Sequence, residues 1–153
     1  MKKYIVLNLV DSGLLNINTN TIDTPSAYKV YKFKRELDKR YNDIKDERLS
    51  LISSVFGQNY DDEIREYNRL LKIGGANFTE EESARYKDLK EKTKKSDNLI
   101  NEMVNDEIKL DNTQPIPYED WNALKKENDM KIPFAFENAL EGVLWMPLRE
   151  NDF

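Results

Sequence analysis

The sequence predicts a mostly α, α+β fold: a long antiparallel helical hairpin with a small β-sheet and short helices at its base. Three observations carry that expectation. First, Val30, Leu37, Ile44 and Leu51 recur every seven residues between Ser26 and Phe56. Ala27, Tyr41 and Val55 fill the neighbouring column, so a narrow apolar stripe runs along one face of a helix. Second, 39% of the residues are hydrophobic and 35% charged, which suits thin helical layers better than a thick core. Third, the last third turns aromatic and proline-rich, the composition of a compact base. With 153 residues the chain is expected to be one domain in three parts: 1–23, 24–106 and 107–153.

The first part opens on Lys3 to Val10, β-branched and apolar, read as a strand. Asp11-Ser12-Gly13 then supplies a turn, with glycine where a left-handed residue is needed. Leu14 to Asn18 partly alternates, as the second strand of a hairpin would; a short helix over Leu14–Ile22 is the competing reading. The apolar run at the start is cut by Asn8, ended by Asp11, and lacks a small-residue cleavage site, so export through a signal peptide is not expected.

In the second part Thr24 is read as the cap of the long helix and Pro25 as its first residue. Glu36 and Arg40 have the favourable i,i+4 order. Gly57 stops the helix after about 31 residues, a rod of roughly 46 Å at ~1.5 Å per residue. Asp61-Asp62-Glu63 complements the start of a second helix carrying Ile64, Tyr67, Leu70 and Leu71, which Gly74-Gly75 ends. Thr79 and Glu82 match a capping box for a third helix reaching about Val104, with Tyr86, Leu89, Ile100 and Met103 on one side. Thr93 and Ser96 thin its stripe. The simplest packing lays this third helix antiparallel on the first, with the tip of the hairpin around residues 57–79.

In the third part Glu107-Ile108-Lys109-Leu110-Asp111 alternates like a strand and Pro115-Ile116-Pro117 is extended. Tyr118 to Lys126 reads as a short helix with Trp121 and Leu124. Pro133 opens another with Phe134, Phe136, Ala139 and Leu140, ended by Gly142, and Val143 to Met146 is a short apolar strand. Lys3–Leu9, Glu107–Asp111 and Val143–Met146 are expected to meet in one sheet.

The run Thr24-Pro25-Ser26-Ala27-Tyr28-Lys29-Val30-Tyr31-Lys32-Phe33-Lys34-Arg35-Glu36-Leu37 resembles the start of the long helix in small uncharacterised proteins of tailed bacteriophages. The order of parts is similar too, down to the apolar end near Leu140-Glu141-Gly142. The resemblance implies a phage or prophage origin and brings no catalytic residues with it.

The chain has neither cysteine nor histidine, which removes the commonest general base, the best zinc ligands and the thiol nucleophile. The sharpest enzymatic candidate is Glu107 and Lys109 on a strand, preceded by Asp97, Glu102 and Asp106, an arrangement that could hold Mg²⁺ in a nuclease. Charged triplets are frequent in such a chain, and a half-exposed alternating strand is the simpler reading. Residues 97–153 hold 5 basic and 13 acidic side chains, a net −8, which disfavours a nucleic-acid groove there. Residues 1–96 hold 19 and 16, a net +3, with the signs interspersed as on solvated helix faces. Asp61-Asp62-Glu63 lacks the alternating ligands of a calcium loop, and Gly74-Gly75 lacks the Lys-Ser/Thr of a phosphate loop. Lys87, Lys90, Lys92, Lys94 and Lys95 read as a solvated face.

Trp121, Phe134, Phe136, Trp145 and Met146 form the best candidate partner surface, although most of them suit a core under the small sheet. Val30, Leu37, Tyr41, Ile44, Leu51 and Val55 are the candidate helix-packing stripe. The expected activity is non-enzymatic: a protein that binds and modulates a host or phage protein, without a cofactor or metal. A virion or assembly component, joined by self-association, and a Mg²⁺-dependent nuclease are the alternatives. Nucleic acid and membrane are not expected partners, and the expected location is the host cytoplasm or the virion.

Overall fold

The structure, a computed structural model, describes residues 1–147 and is 72% helical, so the mostly helical expectation holds. Its described residues divide into two compact units, one built from residues 1–44 with 105–147, the other from 45–104. Helix α2 (Thr24–Phe56) contributes to both.

In the first unit the chain starts with a helix, α1 (Lys3–Asp11), where a strand was expected. The exposed residues explain the difference. Tyr4, Asn8 and Asp11 lie at i, i+4 and i+7 and face water together, while Ile5, Val6 and Leu9 are buried on the other side. That is a helical division of polar and apolar positions, and a β-branched run disguises it. Ser12 and Gly13 close the helix: the Ser12 amide donates to the Asn8 carbonyl, and Gly13 takes a left-handed φ of 86°. Leu14–Asn16 then form one turn of 3-10 helix, so no hairpin is made.

The cap of α2 is Asp23, one residue before the expected Thr24. Its Oδ1 accepts the Ser26 amide at 2.9 Å and its carbonyl accepts the Ala27 amide. The buried column in this unit is Ser26, Val30, Phe33, Leu37 and Ile44, alternating steps of four and three with Arg40 half-buried between. Ser26 and Arg40 are polar residues in core positions and therefore hid this column from a reading by hydrophobicity. Each has a partner: the Ser26 hydroxyl donates to Asp120 Oδ2 at 2.7 Å, and Arg40 reaches Glu36, Asp43 and Asp111. Ala27 and Tyr41, assigned to the stripe by spacing, are half-buried beside it.

Further along α2 the buried residues are Ile52 and Phe56, while Leu51 and Val55 are half-buried. A strict seven-residue repeat slips about 20° per heptad on a helix of 3.6 residues per turn. After three heptads residue 52 lies closer to the Val30 column than residue 51 does.

Residues 105–115 contain no strand beyond a single bridge between Glu107 and Lys2. The expected strand Glu107–Asp111 goes no further than that bridge, in which the Ile108 amide donates to the Met1 carbonyl; the Asp111 amide turns instead to the Glu36 carboxylate. The sheet consists of β1 (Ile116–Pro117) and β2 (Trp145–Met146), paired in parallel, and neither of the other two expected strands joins it. Between them lie α5 (Tyr118–Glu127) and α6 (Phe134–Ala139). Trp121, Leu124, Leu140 and Leu144 are fully buried around this sheet, and α6 packs on α1. Asn128 ends α5 and clamps a distant loop: Asn18 donates its amide to Asn128 Oδ1, and Asn128 Nδ2 returns a bond to the Asn18 carbonyl.

In the second unit α3 (Tyr60–Ile73) packs on α4 (Glu80–Val104), the two joined through residues 74–79. The capping box forms as expected, with the Glu82 amide donating to Thr79 Oγ1 at 3.1 Å and the Thr79 amide to Glu82 Oε1 at 3.2 Å. Leu70 and Leu89 are fully buried. Tyr67 stacks on Tyr86 with ring centroids 5.8 Å apart, and Glu63 joins Lys92 and Arg85 at 3.0 and 3.4 Å.

Burial, with Tyr86 adding to it, pushes the Tyr67 phenol above its ordinary value of about 10. The folded state therefore favours the neutral phenol. That stability is fully present below the unfolded value and is lost as pH rises through the folded one. Thermal melts at increasing pH should show a midpoint that drops above about pH 10, and a shallower drop in Tyr67→Phe. Parallel curves for the two proteins would contradict this assignment.

Candidate functional site: an aromatic cleft

The turn that joins α6 to β2 brings three aromatic rings to one surface of the first unit. Pro133 sets the start of α6, so that Phe134 stands at its beginning, 77% exposed. Gly142, at φ 79°, reverses the chain and donates its amide to the Trp145 carbonyl at 2.7 Å. The parallel pairing of Ile116 with Trp145 then sets the latter beside Tyr118, edge to face, with ring centroids 5.0 Å apart. Tyr118, Phe134, Trp145 and Pro147, with Glu137 and Asn138 as the polar wall, line a cleft of about 330 Å³.

Glu137 organises the cleft. Its backbone carbonyl accepts the Trp145 indole N–H at 3.1 Å, and its Oε1 accepts the Trp121 indole N–H at 3.2 Å. Lys125 Nζ also bonds Glu137 Oε1, and the same ammonium lies 5.4 Å from the Tyr118 ring centroid and 5.7 Å from that of Trp121. Both indole donors are satisfied inside the fold. What Trp145 offers outward is therefore apolar ring surface, although it is only 9% exposed.

Of the five residues that the sequence marks as a partner surface, the structure brings Phe134 and Trp145 to the cleft. Trp121 is fully buried beneath it, and Phe136 and Met146 are half-buried away from its lining. Sequence reasoning missed Tyr118, Glu137, Asn138 and Pro147. The signal for Tyr118 was available, since it stands three residues before the buried Trp121 and so shares its side of α5. Nothing local in the sequence marks Glu137 as the acceptor for two indoles.

Glu107 and Lys109 line a separate open cleft of about 450 Å³ with Met1 and Val143 on its walls. The Glu107 carboxylate is held there by the Met1 ammonium at 2.8 Å, with Lys2 at 3.9 Å. The hydrogen bond from that ammonium, more than its charge, keeps the carboxyl below its ordinary range. Among the described residues no three Asp or Glu side chains come together in a way that could hold a metal ion. Among them, too, no helix is long and apolar enough to cross a membrane. No protein-family model, curated protein or solved structure matches this chain.

Proposed function

We propose that this is a non-enzymatic interaction protein, of phage origin, that seats an apolar side chain of a host or phage protein in the Tyr118–Phe134–Trp145 cleft. The observation that carries the reading is Phe134, a large apolar side chain left 77% in water beside ring surface that the fold holds in place. Covering such a ring contributes about 1.5–3 kcal/mol, the scale of an interface hot spot. Aromatic residues are the enriched anchors of protein interfaces, and an apolar cleft with one polar wall can orient what enters it. The phage assignment rests on the resemblance of the Thr24–Leu37 run. The antiparallel course of α2 and α4 belongs to the same reading, supported by Ile52 and Phe56 on one helix and Leu89, Ser96 and Met103 on the other, all buried.

Affinity capture from host and infected-cell extracts should recover a discrete partner with the intact protein. Phe134→Ala should weaken that recovery at least roughly tenfold, with an unchanged melting midpoint because the ring is exposed. Equal recovery with the variant would remove the cleft from the interaction. Light scattering of the purified protein distinguishes the assembly alternative: a mass that grows with concentration and falls in the variant would make a second copy the occupant.

A further inference from the structure

A different surface, the outward side of α2, has its own chemistry. Tyr28, Tyr31, Lys32, Arg35 and Lys39 lie at i, i+3, i+4, i+7 and i+11, a single stripe on the side of the helix opposite Val30 and Leu37. Tyr28 and Tyr31 are 58% and 56% exposed, and their rings stack with centroids 6.3 Å apart and an interplanar angle of 18°. Lys32 Nζ lies 5.1 Å from the Tyr28 ring centroid. Lys32, Arg35 and Lys39 line a groove of about 520 Å³ with Glu36, Asp38 and Asn112.

The lining of this groove carries three cations, Lys32, Arg35 and Lys39, against two carboxylates, Glu36 and Asp38. Glu36 is committed to Arg40 and to the Asp111 amide, and Arg40 is further bound by Asp43 and Asp111. Lys32, Arg35 and Lys39 form no ion pair with any described residue, and Asp38 stands beside Glu36 as the second acid of the groove. Net charge elsewhere in the molecule does not decide the matter, because at physiological ionic strength a field fades over about 8 Å.

We propose that this face binds single-stranded nucleic acid: the Lys32–Arg35–Lys39 row takes phosphates while bases stack on Tyr28 and Tyr31. A ligand that uses both halves of the stripe must be a polyanion that also presents flat rings. An acidic peptide engages only the cations, and a duplex keeps its bases inside. Stacking on an aromatic side chain accepts any base, so the binding is expected to be weakly dependent on sequence. The stripe is about 16 Å long, which sets a short site.

The test is fluorescence anisotropy of the intact protein with a short labelled oligothymidylate at low salt, beside a duplex of equal length and an oligoglutamate peptide. Oligothymidylate should bind most tightly, and the logarithm of its affinity should fall with the logarithm of salt with a slope near about −2, as expected for three phosphates on a single strand. Tyr28→Ala and Tyr31→Ala should each weaken binding about fivefold or more. A combined Lys32→Ala, Arg35→Ala, Lys39→Ala variant should lose the salt dependence, and Asp38→Asn should bind more tightly. Tyr28, Tyr31, Arg35, Asp38 and Lys39 are exposed and Lys32 is half-buried, and circular dichroism verifies that each variant keeps its fold. The proposal is overturned by absence of oligothymidylate binding, by duplex or oligoglutamate binding as tightly, or by tyrosine variants that bind as the intact protein does.

Discussion

Ile44→Asp should lower stability by about 3–5 kcal/mol, the range measured when a charge is left buried without compensation. Ile44 is buried in the α2 column with Val30 and Leu37, so a carboxylate there loses its water and gains no designed partner. Burial raises the pKa of such a carboxyl, since it disfavours the charged form. The deficit relative to the parent should accordingly narrow as pH falls below that raised value, where the group is neutral. Ile44→Asn, which cannot ionise, should show a deficit that does not narrow. Paired thermal melts of the three proteins near neutral and mildly acidic pH decide it. A midpoint equal to that of the parent would mean that position 44 meets water.

Trp121→Ala should cost about 3–5 kcal/mol, as truncation of a large buried aromatic does. Two losses combine: the indole is fully buried, and its N–H is one of the donors to Glu137 Oε1. Trp121→Phe separates them, because it keeps most of the volume and forfeits the hydrogen bond. Bonds to charged groups are worth about 1.5–3 kcal/mol, so this variant should lie between the parent and the alanine form. Denaturant titration gives both differences. The alanine variant has Trp145 as its sole indole, and its fluorescence reports directly on the cleft. A red-shifted emission would show that Glu137 no longer holds Trp145. Unfolding curves that coincide with the parent would sink the assignment of Trp121 to the core.

The helices that were legible in the sequence are those whose start, periodicity and stop agree. Thr79 and Glu82 begin α4 as their spacing requires, and Asp61-Asp62-Glu63 and Gly74 bound α3 as expected. Errors arose where a local pattern suits two structures. Ile5, Val6 and Leu9 satisfy a strand by composition and a helix by position, and what separates the two is the water-facing trio Tyr4, Asn8 and Asp11. The α2 stripe was legible through Val30, Leu37 and Ile44. Its second column was not, because Ser26 and Arg40 are polar residues whose partners, Asp120 and Asp111, stand far away in the chain. The sheet failed for a related reason: two-residue strands carry almost no pattern, and their parallel pairing joins segments with two helices between them. At the cleft the aromatic residues could be listed from sequence. Which of them face water is decided by Glu137, through bonds to residues 16 positions before it and 8 after it.

If the cleft docks a partner as proposed, that single glutamate also bears on the kinetics of recognition. Trp145 is fixed by its indole hydrogen bond and Tyr118 by the edge of that indole and the Lys125 ammonium, so two of the three rings have already surrendered their rotamer freedom. Immobilising a side chain on association costs about 0.5–1.5 kcal/mol, and here Phe134 alone among the three still carries that penalty. Under the proposed docking role, a cleft preorganised in this way would meet its guest by rigid docking, with differences between guests expressed in how slowly they leave.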